Sequence, residues 1–297
     1  MENREMTPTK NNELFRFSET RDRSDALSLA EAEALFIGTS GYSYGEWIDA
    51  GFYPQGSPSS RMLQCYTRFF CATELNYTWY QMPKASAFER MCRKVPEYFK
   101  FAVKLTRTMT HEIKPDQWRE EVRLYRIGID PLVRSGQLLC VLIQLPPYFT
   151  RSVTRRNYLA ALLDELAGLP LAVEFRHVSW ANERVFSELA RRNVTLVSVD
   201  EPDLPDLFPR LDHVTSPDLF YVRFHGRNAD GWRSGNMQQQ FDYHYSDTQL
   251  KKWADTITDR LLPHARTGGI FFNNHVRGQS PDNALRLIDL LTRTSPA

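Results

Sequence analysis

The chain has 297 residues, 42% of them hydrophobic, and its 37 basic and 36 acidic residues leave a formal net charge of +1. Such a balance gives no general attraction to nucleic acid or to a membrane surface, and no apolar run reaches the roughly 18 residues of a membrane-spanning helix. One large domain is well within reach, since a (β/α)8 barrel takes roughly 250 residues. The four cysteines, Cys65, Cys71, Cys92 and Cys140, form no CxxC pair. They read as reduced thiols in or near a core. The opening MENREMTPTKNNELFRF lacks the apolar stretch of a signal peptide, so a cytoplasmic protein is expected.

Residues 1–34 read as a polar N-terminal arm, poorly ordered except for one short helix at 25–35. A single domain is expected over residues 35–294. From residue 35 on, short β-branched or aromatic runs alternate with stretches of helical length. The runs are 35–41, 72–80, 99–105, 138–146, 171–176, 195–200, 219–226 and 269–275. Apolar spacing near 3.6 predicts helices over 59–71, 84–95, 116–135, 154–167, 182–192, 247–262 and 281–293. Little room is left for a helix between the sixth and seventh runs. Eight strands with right-handed crossovers close into an α/β (β/α)8 TIM-like barrel.

In such a barrel the site lies at the C-terminal ends of the strands, and these strands end in polar side chains. Glu74 and Asn76, Glu174 and Arg176, Arg223 and His225, and Asn273 and His275 are pairs two residues apart, so each pair shares a strand face. The third run offers Lys104 and the fourth Gln144, and the sixth ends in Asp200. A polar group inside a barrel needs a partner, and one structural reading is that these groups close the barrel top among themselves. The mixture of carboxylates, cations, amides and imidazole exceeds what plugging requires and predicts a shared site. The loop GTSGYSYGEW offers hydroxyls and backbone amides around Ser40, with Tyr42, Tyr44 and Trp47 to wall a pocket. His111 and Glu112 follow the third run as an acid/base or ligand pair. Alternation turns Asn273 to the pocket and leaves Asn274 to brace the loop.

Taken together, IGTSGYSYGEW, FYPQG, TELNYTWYQMP, FKFAVKLTRTMTHE, IQLPPYF, LAVEFRHVSW, YVRFHGR, YSDTQLKKWA and FFNNHVRGQSPDNAL run in order over residues 36–292. This set resembles the YecE-like proteins, the domain of unknown function 72. The resemblance implies a TIM-like barrel and no established activity. It further implies a likeness to barrels of the xylose-isomerase and apurinic-endonuclease type, which use metals held by Glu, Asp and His. Glu74, Asn76, Lys104, His111, Glu112, Gln144, Glu174, Arg176, Arg223, His225, Asn273 and Asn274 occupy the family's motif positions. Two departures are the NYTWY segment and a longer 228–243 loop.

Several functions remain open at this level. The first is an enzyme acting on a phosphorylated or acidic small molecule, by phosphoester hydrolysis or sugar-phosphate isomerisation. Glu174 and Glu74 would then be the catalytic carboxylates and His225 a proton shuttle. Lys104, Arg176 and Arg223 would hold the anion, helped by Asn76, Gln144, Asn273, Asn274, Ser40, Tyr42, Tyr80 and His111. No metal is assigned; a divalent ion, if one binds, would use Glu74, Glu174, His225 and Asp200, although the neighbouring cations oppose it. The second is a non-catalytic protein binding a small anion or nucleotide. The third is a nucleic-acid-processing protein with its rim aromatics stacking bases, which the neutral charge disfavours. No membrane partner is expected, and the oligomeric state is open.

Overall fold

The structure is a computed structural model describing residues 24–32 and 34–294. Residues 1–23 of the expected arm therefore lie outside the described residues. Eight parallel strands form the sheet: β1 (Leu35–Thr39), β2 (Ala72–Leu75), β3 (Lys100–Lys104), β4 (Leu138–Gln144), β5 (Leu171–Glu174), β6 (Thr195–Asp200), β7 (Phe220–Phe224) and β8 (Gly268–Phe272). Consecutive strands pair from β2 through β8, and β8 pairs in turn with β1. β1 and β2 close the ring through an isolated parallel bridge between Ser40 and Glu74, reinforced by Gly41 N–H donating to the Glu74 carbonyl at 2.7 Å. Gly38 makes this seam possible. A Cβ there would sit 2.1 Å from the Ala72 carbonyl oxygen, so any larger residue would push β1 off β2.

Helices cover the outside and parts of the mouth. They are α1 (Ser24–Ala32), α2 (Glu46–Asp49), α3 (Ser59–Tyr66), α4 (Tyr77–Tyr80), α5 (Ala85–Cys92), α6 (Trp118–Arg134), α7 (Val153–Glu165), α8 (Glu183–Arg191), α9 (Ala229–Ser234), α10 (Met237–Gln240), α11 (Asp247–Thr256) and α12 (Gln279–Thr294). Local chemistry sets their starts. Ser152 and Asn182 cap α7 and α8 by accepting backbone N–H groups, and Ser246 with Gln249 forms a full capping box on α11. Among the described residues no helix separates β6 from β7, as the short connection implies.

One predicted element changes type. The run 72–80 is a strand only to Leu75, and YTWY is the helical turn α4. Its β-rich composition loses to tertiary bonds: the Thr78 hydroxyl lies within bonding distance of the Leu75 and Lys104 carbonyls, at 3.2 and 2.6 Å. Asn76 consequently stands at the start of α4, with no side-chain capping bond, rather than extending β2. Elsewhere the sixth strand ends at Asp200 as predicted, while the others stop one to three residues short of the predicted runs, so Arg176, His225, Asn273 and His275 stand just past the strand ends.

Candidate functional site at the barrel mouth

A cavity of about 1120 Å³ opens at the C-terminal ends of the strands. The loop after β1 contributes Tyr42 and Tyr44, and the α4 segment contributes Asn76, Trp79 and Tyr80. Trp232 and Phe241, from the segment carrying α9 and α10, form the opposite wall. The floor is polar, made by Lys104, Gln144, Arg176, Arg223 and Asn273.

Beneath the floor lies a chain of ion pairs. Arg223 of β7 spans the barrel, donating to Glu74 at 2.6 Å and to Glu174 at 2.5 Å. The Tyr221 hydroxyl donates to the second Glu74 oxygen at 2.7 Å. Arg176 donates to the other Glu174 oxygen and to Glu201 at 3.0 Å. Glu74, Glu174 and His225 are fully buried. Burial raises the Glu174 carboxyl, but Arg176, Arg223 and His225 outweigh it and hold the group well below the usual carboxylate range. Both oxygens of this carboxylate are committed, which makes it a weak proton acceptor.

His225 meets Arg176 at 3.0 Å and Glu174 at 3.2 Å through Nε2, with Asn273 at 3.1 Å from Nδ1. Burial and the adjacent Arg176 push its pKa down to about 3. The ring is therefore neutral at physiological pH, fixed in a polar network and away from the cavity surface. Burial lifts the Glu201 carboxyl to about 8 against the pull of Arg176.

Lys104 differs from both arginines. Its side chain lines the cavity, with Nζ 5.3 Å from the centre of the Trp79 ring. Among the described residues, no carboxylate lies within ion-pair distance of it. Burial, and then Arg223, lower its pKa to about 7. His111 stands nearby. Trp79 Nε1, which can only donate, gives its proton to His111 Nδ1 at 3.3 Å. The His111 ring proton therefore sits on Nε2. Burial and Lys104 lower this imidazole to about 4, so it too is neutral.

Of the residues expected to form the site, Tyr42, Asn76, Tyr80, Lys104, His111, Gln144, Arg176, Arg223 and Asn273 line one cavity. Glu74, Glu174 and His225 lie directly below them, in the network just described. Three residues fall elsewhere. Ser40 is buried at the β1–β2 seam with its hydroxyl unpartnered. Asn274 turns away and donates to the Tyr243 carbonyl at 2.8 Å and to Asn283 at 2.9 Å. Asp200 faces outward, where it accepts from Arg227, Tyr245 and Trp253. The conditional metal set is corrected by this arrangement. Arg223 separates Glu74 from Glu174, Asp200 is on the other face, and no group of three or more His, Cys, Asp or Glu among the described residues is placed to hold an ion. The donors do not fit a divalent metal.

Tyr221 and Glu201 were missed as members. Tyr221 was within reach, because it continues the two-residue spacing of Arg223 and His225 backwards along β7. Glu201 was not, since its link to Arg176 depends on how the loop after β6 folds.

An eight-stranded parallel barrel with a ring of charged groups at its mouth defines an α/β protein of the TIM-barrel type. The family described as "Protein of unknown function DUF72" matches residues 36–297, and the chain belongs to it. It is 28% identical over 271 residues to the UPF0759 protein YunF of Bacillus subtilis (strain 168), covering 86% of this chain and 94% of that one. The crystal structure of a DUF72 family protein from Thermotoga maritima MSB8 is similar with a TM-score of 0.79 and 35% identity, over 86% of this chain and 98% of the other. A DUF72 family protein from Enterococcus faecalis V583 shares the fold, with a TM-score of 0.78 and 24% identity over 89% and 97% of the two chains. Among the described residues, no helix is long and apolar enough to cross a membrane.

Proposed function

We propose that the barrel mouth is the active site of an enzyme acting on a phosphorylated or acidic small molecule, with sugar-phosphate isomerisation favoured over phosphoester hydrolysis. The observation that carries this reading is Lys104. Glu74 and Glu174 are matched by Arg223 and Arg176, and the raised Glu201 is mostly protonated at pH 7. Among the described residues, Lys104 is then the buried cation of the mouth with no carboxylate within ion-pair distance, facing a cavity walled by aromatic rings that suit the flat face of a sugar or base. With a pKa near 7 it is also the group best poised to take a proton. The committed carboxylates are poor activators of water, which weighs against hydrolysis. His111 Nε2–H and Asn76 offer polar contacts to a carbonyl and to hydroxyls.

A panel of sugar phosphates and their parent sugars, titrated calorimetrically, tests the substrate class. Phosphates should bind at least about tenfold more tightly, roughly 1.4 kcal/mol, and Lys104→Met should erase most of that preference. Isomerisation is read separately, as solvent deuterium entering the carbon beside the carbonyl. Equal affinity for both sugar classes sinks the acidic-substrate reading. The paired carboxylates also favour a second reading, a non-catalytic binder of the same anions. Tight binding with no exchange in wild-type protein would select it.

A further inference from the structure

We infer that Lys104 is a covalent nucleophile, forming an imine with the carbonyl carbon of an aldehyde or ketone bound in the mouth. This rests on the reading of that cavity as a site for a small acidic substrate. Three observations point to it. A lysine kept as a structural cation is held by a carboxylate, and among the described residues Lys104 has none within reach, while both arginines beside it are paired. The side chain is half-buried, with the Trp79 ring on one side and the cavity it lines on the other. Asn76, across the α4 turn, keeps its Oδ1 buried without a partner, an acceptor for the hydroxyl of a carbinolamine or of the substrate.

The charged and titratable groups facing the amine are Arg223 on β7, Glu174 and Arg176 at the end of β5, Glu74 on β2, and His111 in the loop after β3. Burial with two arginines nearby disfavours a third positive charge, and this is how a lysine becomes a nucleophile. The step balances without another reactant. Nζ attacks the carbonyl carbon, the C–N bond forms as the C–O π bond opens, and both protons of the neutral amine leave with the oxygen as water.

The test is reductive trapping of wild-type protein with glyceraldehyde 3-phosphate and cyanoborohydride, followed by peptide mapping. At pH 7 the adduct should map to Lys104, forming at least about tenfold faster than on the exposed Lys251 and Lys252. The Lys104 rate should level off just above pH 7, whereas the exposed amines gain up to about pH 10. Lys104→Arg should abolish that adduct and spare the others. Modification of Lys104 no faster than Lys251 overturns the proposal, whether or not the variant folds. Sugar phosphates bound in a Lys104-dependent way without a trapped imine would remove the imine and keep the acidic-substrate reading. Equal trapping of unphosphorylated glyceraldehyde would keep the imine and remove that reading.

Discussion

Replacing Arg223 with methionine should cost about 3–5 kcal/mol of folding stability, the range for breaking a buried ion pair by removing one partner. Methionine fills similar space but leaves one oxygen each of Glu74 and Glu174 unpaired in the barrel interior, where Arg223 is 1% exposed and both glutamates are fully buried. Urea unfolding at neutral pH measures the loss. The pH dependence gives a second, independent reading. In the wild type the Glu174 carboxyl sits well below its ordinary value. Its contribution is therefore complete above the unfolded carboxylate pKa of about 4.3 and is lost as pH falls through the folded value. Without Arg223, burial regains weight and this acid-side loss shrinks. The gap between wild type and variant should thus be widest above about pH 5 and narrow in acid. A loss under about 1 kcal/mol, or a gap constant down to about pH 3, would show that the ladder is not the keystone of the interior.

Asp200→Ala should cost about 3 kcal/mol, in a different place and with a different signature. This carboxylate accepts from Arg227 at 2.7 and 2.5 Å, from the Tyr245 hydroxyl at 2.8 Å and from Trp253 Nε1 at 2.6 Å. These bonds clamp both ends of the segment carrying α9 and α10 onto β6. Tyr245 also receives the Gly226 N–H at 2.9 Å. Gly226 stands at φ +88°, and a Cβ there would meet Tyr243 at 2.6 Å. Removing Asp200 leaves the buried Trp253 indole N–H and Tyr245 hydroxyl, and the partly exposed Arg227 guanidinium, without this acceptor. Amide exchange should accelerate across residues 226–246 while the strands stay protected. Because Trp232 and Phe241 wall the cavity, ligand affinity should fall with it. Unchanged exchange in that segment would refute the clamp.

The barrel was legible because its signal is local. Each strand is a short apolar run, and each run is followed by spacing of helical period. Strand ends were less legible. NYTWY has strand composition, and its turn into α4 is decided by the Lys104 carbonyl, which is remote in sequence. Asp200 shows a second limit. Strands of a parallel barrel are buried on both faces, so TLVSVD carries no alternation to tell which way its last residue points. The two-residue spacing of Arg223 with His225 and of Glu174 with Arg176 did locate them together. Their roles were beyond reach, because the pairing of Glu74 with Arg223 and Glu174 joins β2, β7 and β5 across the interior, and only the closed ring brings those strands opposite one another.

That crossing ladder also closes the barrel interior beneath the cavity. Glu74, Arg223, Glu174 and Tyr221 stop the barrel as a bung stops a cask, with 0–1% of each exposed. The cavity is a cul-de-sac open only at the rim formed by the strand ends and their loops. Under the proposed activity, substrate and product would share that single opening, and accumulated product should inhibit in competition with substrate.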